Sequence, residues 1–145
     1  MAIMEVQLVE PDYGFKATDI KDHQVRIDIP VDQGGNANGF RPMQLLLSAL
    51  GGCSGVDIVS ILKKQRQSLK GLNIKIDGER EKDKEPSVWK SLTIVFEFSG
   101  ELDASKVFRA TELSINKYCS VAETLRRAGA SFDWTVTLNG DPVLF

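Results

Sequence analysis

Pro42-Met43-Gln44-Leu45-Leu46-Leu47-Ser48-Ala49-Leu50-Gly51-Gly52-Cys53-Ser54-Gly55-Val56-Asp57-Ile58-Val59-Ser60-Ile61-Leu62 is the stretch on which the fold turns. Proline suits the first position of a helix, where its missing N–H costs nothing. The run that follows carries one charge, Asp57, until Lys63, Lys64 and Arg66 close it with basic residues that suit the helix dipole. Gly71 is the expected stop. The run is long enough to raise the question of a membrane span. A carboxylate at mid-span is costly in lipid, and the chain has no second run of this kind, so the reading is a buried core helix with no membrane role. A helix that is apolar on every side must be buried on every side. One sheet covers only one side, which predicts a second copy of the chain on the other and an obligate homodimer.

Working outward, Val6–Val9 and Phe15–Thr18 read as short strands around the turn signal Pro11-Asp12-Tyr13-Gly14. Val25-Arg26-Ile27-Asp28-Ile29 alternates with period two, as a half-buried strand does. Asp32–Gly39 is a loop by composition. Beyond the helix, Leu72–Ile76 and Leu92–Phe98 read as a hairpin with a charged, solvated tip at Glu79–Pro86. Asp103 is placed to cap a second helix, which carries Val107, Ala110, Ser114 and Lys117-Tyr118. Ser120-Val121-Ala122-Glu123 has the spacing of a capping box for a short third helix ending at Gly129. Phe132, Trp134, Val136 and Leu138 alternate as a last strand. Strands and helices do not alternate strictly, so the class is α+β in a single domain, 1–145.

The chain has 145 residues, 42% hydrophobic and 26% charged, with a formal net charge of −2. That balance fits a soluble globular protein and lacks the basic stripe of a nucleic-acid binder; Lys63-Lys64-Gln65-Arg66 is a solvated helix end. Met1–Glu10 carries acids and no basic leader region, so no secretory signal is expected. The expected compartment is the reducing cytoplasm, where a structural disulfide is out of place.

There are two cysteines. Cys53 sits mid-helix among Gly51, Gly52 and Gly55, each costing roughly 1 kcal/mol relative to alanine. Three together need a reason, and close approach of another helix supplies one. Cys119 directly precedes the third helix, where the partial positive charge favours a thiolate. With His23 as the only histidine, two distant cysteines are too few ligands for zinc. No metal and no cofactor are expected.

At these residues the sequence resembles a known family. Pro42 to Cys53 is similar to the OsmC/Ohr signature of a proline, a leucine-rich turn, small residues and a reactive cysteine. Lys117-Tyr118-Cys119-Ser120-Val121 resembles the second signature, around the partner cysteine. Val56–Leu62 and Tyr118–Val121 resemble the OsmC-like branch described only as predicted redox proteins. The resemblance covers nearly the whole chain. It implies a two-layer α+β sandwich, an antiparallel sheet around a long central helix, in an intertwined homodimer with two sites at the interface. Cys53 would be the peroxidatic thiolate that attacks an organic hydroperoxide. Cys119 would resolve the sulfenic acid as a disulfide, and a dithiol reductant of lipoyl type would restore both thiols.

Two family features are replaced. The glutamate after the helix-opening proline is Met43, followed by Gln44, and the N-terminal turn Pro11–Lys16 lacks the family arginine. Lys16, Arg26 or Arg41 would have to supply the cation that activates the sulfur. Asp57 lies one turn beyond Cys53, so the two share a helix face. A bare carboxylate there disfavours a thiolate, so Asp57 aids chemistry only by holding a cation; otherwise it is a structural hydrogen-bonding or interface group. The alternative to a peroxidase is a non-enzymatic dimer of the same fold that binds a small ligand or senses redox state.

Overall fold

The computed structural model describes residues 3–145, which form two compact units, one ending at Ser48 and the other running from Ala49 to Phe145. In the first unit β1 (Met4–Glu10), β2 (Gly14–Asp19) and β3 (Gln24–Ile27) make an antiparallel meander in the order β1-β2-β3. Val6 stands opposite Ala17, which stands opposite Val25. Met4, Val6 and Leu8 alternate onto one face of β1 and are all more than half exposed.

β3 is shorter than its alternation suggests. Asp28, expected on the solvated face of a strand running to Ile29, is instead buried and organises the following loop. Its Oδ1 accepts from the backbone N–H groups of Ile29 (2.8 Å) and Asn36 (3.4 Å), and its Oδ2 from that of Asn38 (3.2 Å). These bonds hold the Asp28 carboxyl below the usual carboxylate range, the one from Ile29 most. Gly35 is required there, because a Cβ would stand 2.1 Å from the carbonyl oxygen of Ile29.

α1 (Pro42–Lys64) begins in the first unit and continues through the second. Gln44 accepts from the backbone N–H of Arg41 (3.2 Å), closing the first turn. The helix stops at Lys64 rather than at Gly71: Arg66 takes a positive φ of 56°, and Gly71 lies inside the next strand, beside a register shift. β4 (Ser68–Arg80), β5 (Trp89–Glu101), β6 (Ser131–Leu138) and β7 (Asp141–Val143) form the second sheet, in the order β4-β5-β6-β7. The β4–β5 hairpin matches its expected position. Its tip is tied by the Glu81 N–H to Val88 C=O bond (2.9 Å) and by the Ser87 hydroxyl on the Glu81 carbonyl (2.7 Å).

The α+β class stands, but the second sheet is mixed and not wholly antiparallel, because β5 and β6 run parallel. Parallel neighbours need a long crossover. Here it contains α2 (Ala104–Leu113), a wide π turn at Ser114–Tyr118, and α3 (Ser120–Arg127). Asp103 caps α2 as expected, accepting from the Ser105 N–H at 2.9 Å. The register aligns Ile74, Phe96 and Val136, and likewise Ile76, Ile94 and Trp134, on one face. Phe96 and Trp134 meet edge to face at 6.4 Å, and Phe108 of α2 lies 5.2 Å from Trp134.

On this apolar face lies α1. A Cβ at Gly51 would meet Ile76, and one at Gly55 would meet Ile74, each at 3.3 Å. Those two glycines therefore admit the sheet, not a second helix, while Gly52 faces open space. By length and composition α1 is also capable of crossing a membrane. Within one chain it buries a single stripe, Leu50, Ser54, Ile58 and Leu62, each 0% exposed. The expected burial on all sides does not occur within one chain: Val56 is 68% and Val59 44% exposed.

Candidate functional site

Three side chains converge in the second unit. The sulfurs of Cys53 and Cys119 and a carboxylate oxygen of Asp57 all lie within 4.8 Å of one another. Cys53 and Asp57 come from successive turns of α1, the i, i+4 relation that puts both on one face. Both are half-buried, whereas Cys119 is 3% exposed. Both thiols are free.

Ser114, which opens the π turn, joins the two halves of the site. Fully buried, its hydroxyl lies 3.1 Å from the carbonyl oxygen of Ser54 and 3.1 Å from Asp57 Oδ2. Its single proton is shared between the two acceptors. Its own carbonyl accepts from the Cys119 N–H at 2.8 Å. One residue thus pins α1 on one side and Cys119 on the other. Asp57 holds the structural hydrogen bond that its position in the sequence left open. Sequence reading placed Ser114 on α2 without assigning it a role; its small size in an otherwise apolar helical pattern was the available signal.

The cap of α3 differs from the expected capping box. Cys119 itself is the N-cap, its sulfur accepting from the Ala122 N–H at 3.3 Å, and Ser120 is the first helical residue. Glu123 turns away to pair with Arg126 and Arg127, both at 2.9 Å. The expectation that a helix start favours the Cys119 thiolate is also corrected. Burial pushes this thiol up to about 11; the Ala122 N–H opposes the shift and neighbouring Cys53 adds to it. Desolvation outweighs the helix start because the sulfur is almost wholly removed from water. A shallow cavity of about 260 Å³ opens beside Cys119, lined by Lys117, Tyr118 and Arg127 among others.

The three candidate cations belong to the first unit. Lys16 and Arg26 are register partners across β2 and β3, so they share a face of that sheet. Arg26 is bonded to Glu10 at 2.6 Å, and Arg41 precedes α1. His23 pairs with Asp19 at 2.8 Å.

A parallel-crossover α+β unit thus brings a helix-borne cysteine against a second, buried cysteine. Comparison with known proteins gives the family. The profile of the OsmC-like proteins matches residues 34–135. Protein YhfA of Escherichia coli K12 is 38% identical over 109 residues, which is 73% of this chain and 76% of that protein. The crystal structure of a hypothetical protein from Aquifex aeolicus VF5 is similar with a TM-score of 0.78 at 28% identity, covering 96% of this chain and 98% of that one. The organic hydroperoxide resistance protein OsmC of Legionella pneumophila shares the fold, with a TM-score of 0.71 at 14% identity over 94% of this chain and 96% of that one. The chain belongs to the OsmC-like family.

Proposed function

We propose that the protein is a thiol-dependent peroxidase for organic hydroperoxides, with Cys53 as the peroxidatic residue and Cys119 as the resolving one. The observation that carries this reading is the convergence of the two free sulfurs, one half-buried and one buried, within 4.8 Å. The Cys53 thiolate attacks the O–O bond, the leaving alkoxide takes up the proton that the thiol released and departs as the alcohol, and a sulfenic acid remains on Cys53. The Cys119 sulfur then displaces the hydroxyl. Its proton leaves with that hydroxyl as water, and a Cys53–Cys119 disulfide forms. A dithiol reductant, of lipoyl type by family resemblance, returns both thiols and is itself oxidised to a disulfide. Lys16, Arg26 and Arg41 are the groups from which the activating cation would come, with Lys16 ranked first because it stands nearest the turn that bears the family arginine.

The working form would be a homodimer in a reducing cytoplasmic setting. Ala49, Gly52, Val56 and Val59 are exposed and spaced three, four and three residues apart along α1. That is the repeat of a helix–helix seam with small residues at close approach. The exposed apolar face of β1 is a second surface that a partner subunit would cover.

A coupled or stopped-flow assay comparing cumene hydroperoxide with hydrogen peroxide tests the reading. The expected result is saturable turnover with the organic peroxide, abolished in Cys53→Ser. In Cys119→Ser, a dimedone-type trap should label Cys53. Labelling of Cys119 first, or peroxide leaving both thiols free in the parent, would reject the assignment in favour of a ligand-binding or redox-sensing dimer. Lys16→Met should slow the first step if Lys16 is the cation.

A further inference from the structure

We infer that the reduced protein binds one soft divalent cation of the zinc type through Cys53 Sγ, Cys119 Sγ and the Asp57 carboxylate. Two thiolates and one carboxylate are a donor set that selects zinc-like ions over magnesium or calcium. Sequence spacing concealed it, because the third ligand is not a histidine and lies on the same helix as the first.

The geometry is close to what the ion demands. Zinc–sulfur bonds of about 2.3 Å and zinc–oxygen bonds of about 2.1 Å in a tetrahedron place the ligand atoms roughly 3.5–3.8 Å apart. The three atoms already lie within 4.8 Å of one another, so contraction by about 1 Å completes the set. Two of the ligands sit on successive turns of one rigid helix, and the third is held by its own backbone bond to Ser114.

The surroundings are those of a metal centre. The Ser114 hydroxyl donates to Asp57 Oδ2 at 3.1 Å and so orients the carboxylate. The Ala122 N–H points at the Cys119 sulfur. Such outer hydrogen bonds orient ligands and are worth about 10–100-fold in affinity. Cys53 and Asp57 are half-buried, so a water from that side would take the fourth position of an ion held by three protein ligands. Two thiolates and a carboxylate carry three negative charges, which a divalent ion reduces to one. Metal binding displaces the thiol protons, so affinity rises with pH.

This inference is independent of peroxidase activity, since it requires only the reduced thiols. It predicts that the metal and the Cys53–Cys119 disulfide exclude each other. Titration of the reduced full chain with Co²⁺ should produce sulfur-to-metal charge-transfer absorption saturating at one equivalent per chain, and Zn²⁺ should displace it. Cys53→Ser and Cys119→Ser should each weaken binding at least 100-fold, and Asp57→Asn about 10-fold or more. Circular dichroism checks that each variant is folded. Should a cysteine variant fail to fold, Asp57→Asn and a disulfide-oxidised sample of the parent carry the test, the oxidised sample binding no metal. Absence of thiolate charge transfer in the reduced parent at saturating Co²⁺ overturns the site, as does unchanged affinity in Asp57→Asn.

Discussion

Oxidation of the Cys53–Cys119 pair is expected to raise the unfolding free energy by about 3–4 kcal/mol. The bond joins two residues 66 positions apart in the chain. Cross-linking a loop of that length removes roughly 15 cal/mol/K of entropy from the unfolded chain, about 4 kcal/mol at 25 °C. The opposing term is small: the Cys119 sulfur is weakened as acceptor for the Ala122 N–H, a bond of the kind worth about 1 kcal/mol. The sulfurs must close from within 4.8 Å to about 2 Å, which side-chain rotation and a small movement at the start of α3 can supply. The assay is urea unfolding of reduced and oxidised protein at one fixed protomer concentration. With a slope of about 2 kcal/mol/M, the midpoint should move up by roughly 1.5–2 M and return on adding dithiothreitol. Neither Cys53→Ser nor Cys119→Ser should show the shift. If mass spectrometry finds the intrachain disulfide but the midpoint stays put or falls, the native site is strained by the bond and the reasoning from proximity is wrong.

Ser114→Ala removes the hydroxyl shared by Ser54 and Asp57 and should cost about 1–3 kcal/mol in thermal or chemical unfolding; disulfide formation should slow as well, because the start of α3 loses its tie to α1. Cys119, pushed up to about 11, stays protonated in the folded chain after the unfolded chain has begun to ionise. Its contribution to stability is therefore complete below about pH 9 and lost as pH rises toward 11; pH-dependent unfolding should show this decline in the parent and a flatter profile in Cys119→Ser. Glutamate at Val56 and Val59 together should convert a dimer to a monomer in light scattering while leaving the fold of the chain intact by circular dichroism, since both side chains are exposed in the single chain.

Much of the local structure is legible in sequence because its causes are local. The period-two runs around Val25 and from Leu92 to Phe98 pair as strands, and Asp103 caps α2 through a bond only two residues long. The misreadings arise where two local rules compete or where a distant group intervenes. Ser120 and Glu123 have capping-box spacing, yet Arg126 and Arg127 take Glu123, and the backbone turns one residue earlier, at Cys119. Gly71 resembles a helix stop but serves a strand irregularity, because Arg66 reaches positive φ first. Asp28 fits an alternating strand until the loop from Asn36 to Asn38 folds back onto its carboxylate.

The α+β class, the long apolar helix, the two thiols and the family to which their surroundings belong are all legible in the residues. Each of those rests on periodicity, composition or a short motif. The long-range features came from packing: Cys119 lies against Cys53 although the two are 66 positions apart, Asp57 joins them, and Ser114 is the pin. The tertiary structure also decided that β5 and β6 run parallel, which carries α2, the π turn and α3 over to the helix face where the cysteines meet. The physical reason is the range of the interactions. A cap or an alternating strand is set by neighbours a few residues away, whereas the site is set by packing between segments that share no local pattern.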